Sequence, residues 1–225
     1  MATLIPLGDA SRQPRRFAVV TLLIILTNAY VFLQELVKGD AFVARWALIP
    51  ASIVHGRNLV TLVTGTFLHA GWLHIAGNMV FLWAFGPEME DAMNPARYLV
   101  FYLLGGVVSM AAQIGIDPAS TLPNLGASGA IAAVMGAFLV TYPRDKIRTI
   151  LIIGIFVRIT FIPAALLIGF WFLTQLVSFG VIAGAEGGGV AYMAHISGVI
   201  FGAAASRLFE DPRRLASQRD KGWSG

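Results

Sequence analysis

With 225 residues, 57% of them hydrophobic and only 12% charged, and a net charge of +4, this chain is too apolar for a soluble domain of its length. Its lack of cysteine excludes disulfides and thiolate metal centres. The positive balance follows a membrane pattern rather than a nucleic-acid one, so no nucleic-acid partner is expected.

Residues 1–16 read as a cytoplasmic N-terminal segment, with Arg12, Arg15 and Arg16 ahead of an apolar run that starts at Phe17. That run exceeds the apolar core of a secretion signal, about 7–15 residues, and no Ala-x-Ala site follows it, so a retained span is expected. Charge-free windows run Phe17–Gln34, Asn58–Pro87, Tyr98–Ile116, Pro118–Pro143, Ile159–Ala185 and Gly187–Ser206. Each can supply the roughly 20 residues that cross a hydrocarbon core about 30 Å thick. A backbone in lipid must satisfy its hydrogen bonds internally, so these windows are predicted to be helices. The expectation is an all-α membrane protein of six spans, one domain over 17–209, with a polar cytoplasmic tail over 210–225 that is disordered from Asp211.

Two connections differ from simple turns. Asp40 to Ala70 forms a long outer loop rich in apolar residues such as Phe42, Trp46, Leu48 and Ile53, with Pro50 as a breaker, and is expected to lie in the membrane interface. Ile147 to Ile162 is apolar but short and carries Arg148 and Arg158; closed by Pro163, it reads as a cytoplasmic interfacial segment rather than a seventh span.

A cytoplasmic N-terminus places thirteen of the sixteen lysines and arginines inside, leaving Lys38, Arg45 and Arg57 outside. This bias orients the chain in the cell membrane with both termini cytoplasmic. Spans two, four and six then all run inward from the outer surface. Their outer ends carry His74 and Asn78, Ser128, and His195, with Ser128 and His195 both within roughly 10 Å of the boundary.

Polar side chains at that depth are expensive, and a hydroxyl and an imidazole at matched depth suggest nucleophilic hydrolysis. His195 can serve as base only if its ring is uncharged, the form that burial favours. The nearest acid upstream, Glu186, is nine residues away in a glycine-rich loop, so a Ser-His dyad is a better reading than a triad. His74 and Asn78, four residues apart, share a helix face and can point toward Ser128, whose backbone N–H adds a further donor for an oxyanion. Gly198 with Gly202, and Gly129 with Ala133 and Gly136, offer smooth stripes for close helix packing.

His69-x4-His74-x3-Asn78, Gly126-x-Ser128-Gly129 and Ala194-His195-x2-Gly198-x3-Gly202, in that order with six spans and a long first loop, resemble the rhomboid family of intramembrane serine proteases. The resemblance implies a six-transmembrane-helix rhomboid-like bundle. Ser128 would be nucleophile and His195 base, while Asn78, His74 and the Ser128 amide would stabilise the oxyanion. Substrates would be transmembrane helices cut near their outer ends, in contact with membrane lipids; no cofactor or metal is implied. Members commonly carry an aromatic residue four positions after the serine, packed on the histidine, where this chain has Ala132.

Two other readings fit the residues less well. A catalytically silent relative would bind or escort transmembrane helices without an activated hydroxyl. A metal or haem protein would use His69, His74 and His195 as ligands, and would leave the motif around Ser128 without a purpose. His-Glu-x-x-His and a buried aspartate pair, the marks of other membrane proteases, do not occur.

Overall fold

A computed structural model describes residues 2–182 and 192–219. In chain order it contains β1 (Ala2–Asp9), α1 (Val19–Lys38), α2 (Asp40–Trp46), α3 (Pro50–Val54), α4 (Thr61–Thr64), a 3-10 turn (Gly65–Phe67), α5 (Trp72–Met93), α6 (Pro95–Ile116) and α7 (Ser128–Thr141). There follow β2 (Lys146–Ile153), β3 (Phe156–Pro163), α8 (Ala164–Ile182), α9 (Tyr192–Phe209) and α10 (Pro212–Arg219). Among the described residues, six helices of 14 to 22 residues fall largely within the six charge-free windows. By length and composition, α1 and α6 are long and apolar enough to cross a membrane. α7 is apolar but has only 14 residues, because the first part of its window is the loop leading into Ser128.

α7 is the hub, and its residues from Gly129 to Phe138 are all buried. A helix apolar on every side belongs in an interior, and α5, α6, α8 and α9 enclose it. The tightest contact is with α9. A β-carbon at Gly202 would overlap the Ala133 carbonyl, one at Gly136 the Val199 carbonyl, and one at Gly198 the Gly129 carbonyl. Only hydrogen fits at these crossings, so the two backbones touch directly.

The all-α expectation needs correction. β1, β2 and β3 form a three-stranded antiparallel sheet in the order β1-β2-β3. Ile147 to Ile162, expected as an interfacial segment rather than a seventh span, is a β-hairpin. Its β-branched residues favour strands, and Gly154, at φ +60°, occupies the first position of a two-residue turn, as a type II′ hairpin requires. Residues 2–9, within the N-terminal segment expected over 1–16, supply the third strand. The tail also departs from the expectation: Pro212–Arg219 is helical, with Pro212 at its first position and Arg214 reaching the Asp91 carboxylate at 3.8 Å. Residues 220–225 lie outside the described part.

The first loop is folded onto the bundle. Pro50 starts α3 rather than only breaking the chain. Leu48 is fully buried and exchanges two backbone hydrogen bonds with Asn124 (3.1 and 2.7 Å), while Gly126 N–H donates to the Gly65 carbonyl (2.9 Å). The loop thereby braces the segment just before Ser128.

At the opposite end, buried polar groups tie the chain together. Glu90 accepts from the Val20 and Thr21 amides (2.9 and 2.7 Å) and from the Thr21 hydroxyl, satisfying orphan donors near the start of α1. Glu210 accepts from Thr141 on α7 (2.7 Å) and pairs with Arg207 (2.9 Å). Arg12 is bonded to Asp145, at the base of the hairpin, lies over the Tyr142 ring and sits 3.7 Å from Asp9. Burial pushes the Asp9 carboxyl up to about 7, and the neighbouring Asp145 acts in the same direction.

Two predictions follow from these contacts. Gly202→Ala should lower the thermal unfolding midpoint in detergent, through overpacking worth about 1–3 kcal/mol. Gly169→Ala on α8, where a β-carbon meets nothing within 4 Å, should hold or raise it through better helix propensity. The second concerns pH. The folded state keeps a proton on Asp9 that the unfolded chain releases, so its contribution is complete below about pH 3.8 and is lost as pH rises through about 7. Asp9→Asn should flatten that slope when unfolding midpoints are compared across the interval.

Candidate active site

Ser128 is the first residue of α7, where backbone N–H groups have no intrahelical acceptor. It follows a turn that glycine makes possible. Gly126 has φ +130°, and a β-carbon there would press on the His74 ring at 3.0 Å.

His195 lies in the first turn of α9, 7% exposed. Its Nε2 is 2.7 Å from Ser128 Oγ and its Nδ1 is 2.7 Å from Gln175 Oε1 on α8. The Gln175 amide nitrogen donates to Thr174 Oγ1 (3.2 Å) and more weakly to the Trp171 carbonyl (3.5 Å), which turns the amide oxygen toward the imidazole. An amide oxygen can only accept, so Nδ1 carries the proton and the Nε2 lone pair faces the serine hydroxyl. That tautomer allows the ring to receive the serine proton.

His74 and Asn78 line the same cavity of about 650 Å³ as Ser128 and His195. The Ala70 amide donates to His74 Nδ1 (3.2 Å), leaving the proton of the neutral ring on Nε2 as a free donor. Asn78 is 8% exposed and its side-chain nitrogen is buried without a protein partner. His69 is also buried, but its ring meets His74 edge-on at 5.1 Å and its backbone N–H donates to Glu35 (3.1 Å), so it supports the site from behind. Among the described residues no three His, Cys, Asp or Glu side chains converge as a metal site.

Ala132 is fully buried against the crossing at Gly198. The aromatic surface beside His195 comes instead from Trp171 at 5.5 Å and, edge-on, from Tyr192 at 6.5 Å. Gln175 and Trp171 were absent from the sequence reading. An amide and an indole on an apolar helix carry no spacing signal, and the partner expected of a catalytic histidine is an acid; Glu186, the nearest upstream, lies outside the described residues. The one available hint was that Gln175 is a rare strongly polar side chain in a charge-free window.

Comparison with known proteins identifies the family. The Rhomboid domain matches residues 56–211. Rhomboid protein 1, mitochondrial, of Saccharomyces cerevisiae is 26% identical over 125 residues, covering 53% of this chain and 36% of that protein. RHOMBOID-like protein 12, mitochondrial, of Arabidopsis thaliana is 33% identical over 142 residues, covering 56% and 42%. Rhomboid protease GluP of Bacillus subtilis is 37% identical over 78 residues, covering 35% and 15%. The matched regions span less than half the length of each of these relatives. Since the matched domain takes in most of the chain, including His74, Asn78, Ser128 and His195, the chain belongs to the rhomboid family.

Proposed function

We propose that this protein is an intramembrane serine endopeptidase that cleaves transmembrane helices near their outer ends. The observation that carries the reading is the 2.7 Å contact of His195 Nε2 with Ser128 Oγ beside an open cavity. Six spans with both termini cytoplasmic place that cavity just beneath the outer surface of the cell membrane, an orientation supported by the distribution of basic residues.

Ser128 Oγ attacks the scissile carbonyl carbon while His195 Nε2 takes the hydroxyl proton. Negative charge then builds on the substrate oxygen. The Ser128 backbone N–H, His74 Nε2–H and the Asn78 amide are its donors. An unpartnered buried amide such as that of Asn78 is costly at rest, and a transient oxyanion supplies the acceptor it lacks. His195 returns its proton to the leaving amine, an acyl-enzyme remains on Ser128, and water activated by the same imidazole releases it. Gln175 is a positioning residue, holding the Nδ1–H tautomer and the ring plane through its 2.7 Å bond.

With a reporter transmembrane substrate in liposomes, Ser128→Ala should abolish cleavage, a loss of at least about a thousandfold. Unchanged cleavage would contradict the proposal, as would a wild-type protein that retains the substrate uncut. Gln175→Leu, which keeps volume but removes the acceptor, should lower kcat about tenfold with little change in KM. Gln175→Glu should restore much of that rate and move the acid limb of the pH–rate profile upward, because a carboxylate stabilises the imidazolium. A purely structural Gln175 would leave that profile in place.

A further inference from the structure

The β2–β3 hairpin presents a surface that the proposed chemistry does not use. Cross-strand partners share a face of the sheet. Ile147 and Thr149, with Thr160 and Ile162 opposite them, face the bundle, and both β2 residues are fully buried. The other face carries Ile150, Ile152, Val157, Ile159 and Phe161, with nothing among the described residues covering the exposed β3 members, and β3 is an edge strand. Toward the turn the hairpin outruns the bundle, and both faces open. Ile155 is 91% exposed, Phe156 76% and Val157 68%. An apolar projection of this size marks a contact surface.

Charge identifies what it contacts. Between residues 144 and 163 the cations are Arg144, Lys146, Arg148 and Arg158, and the one acid, Asp145, is engaged by Arg12. An apolar hairpin with Arg158 near its tip, Arg148 and Lys146 toward its foot and no unengaged acid between residues 144 and 163 matches an anionic lipid surface. A second copy docked through the same patch would instead bring two surfaces of like charge together. Position fits as well. β3 ends at Pro163 and α8 begins at Ala164, so the hairpin springs from the foot of a helix read as membrane-spanning, and its tip reaches about 26 Å from that point.

We propose that the β2–β3 hairpin is a membrane-docking element. It seats Ile153, Ile155, Phe156 and Val157 in the anionic headgroup region of the leaflet on the side opposite the cavity. The proposal needs the membrane placement of the bundle but none of the chemistry at Ser128.

The chain has no cysteine, so Ile155→Cys and Val157→Cys each offer one attachment point for an environment-sensitive fluorophore, at positions too exposed to affect folding. In vesicles of phosphatidylcholine with phosphatidylglycerol, the dye should emit to the blue of its value in water and be quenched by lipids carrying a quencher high in the acyl chain. Omitting phosphatidylglycerol should reduce both effects. Arg148→Gln and Arg158→Gln should each lower the inserted fraction relative to the exposed one about fivefold. Water-like, unquenched emission at both positions would overturn the proposal. So would shielding that grows with protein density without lipid quenching, the signature of a second copy. Cleavage measured on the same samples reads the Ser128 site separately.

Discussion

Backbone-on-backbone contact between α7 and α9 is the constraint from which the site follows. Gly136, Gly198 and Gly202 each lie where a single β-carbon would overlap a facing carbonyl. The helices therefore pack closer than any side chain would permit, and Ser128 at the start of one meets His195 in the first turn of the other. A hydrogen bond of 2.7 Å between residues 67 positions apart in sequence cannot arise from local geometry. It requires two helix axes held in one spacing and register, and glycine at the crossings is what allows it. The folded first loop adds to this: its bonds to Asn124 and Gly126 hold the turn that presents the serine.

Buried polar groups serve different purposes at the two ends of the molecule. At the end away from the cavity, Glu90 and Glu210 find donors on neighbouring helices, and Arg12 joins the N-terminal strand to the base of the hairpin. These join elements that are distant in sequence. At the cavity, whose lining is largely apolar, the Asn78 amide nitrogen is buried without a partner and the Ala70 bond leaves the His74 proton on Nε2. Unsatisfied donors are avoided in a stable core and are useful where charge develops only transiently.

The helical framework was legible because lipid-scale apolar windows constrain the backbone strongly, and Ser128, His195, His74 and Asn78 were legible because each stands out against a charge-free background. The sheet was not. Ile147 to Ile162 is apolar with two interspersed arginines, and its length alone does not distinguish strand from helix; the partner strand lies more than 130 residues upstream, where no local pattern announces it. The start of α7 was placed too early because loop residues from Pro118 onward carry no charge. Gln175 escaped because its importance depends on which way α8 faces relative to α9, which a sequence window does not encode. Trp171 and Tyr192 flank the imidazole, a contact between helices visible only once they are packed.

The central claim is that this packing makes Ser128 a nucleophile with His195 as its base. Peptide mapping after treatment with a fluorophosphonate tests it most directly, because the adduct forms only on an activated hydroxyl and its position can be read by mass. The account predicts an adduct on Ser128 in the wild-type protein that disappears in His195→Ala. An adduct formed equally well without the imidazole, or no adduct on Ser128 in a folded protein, would contradict it.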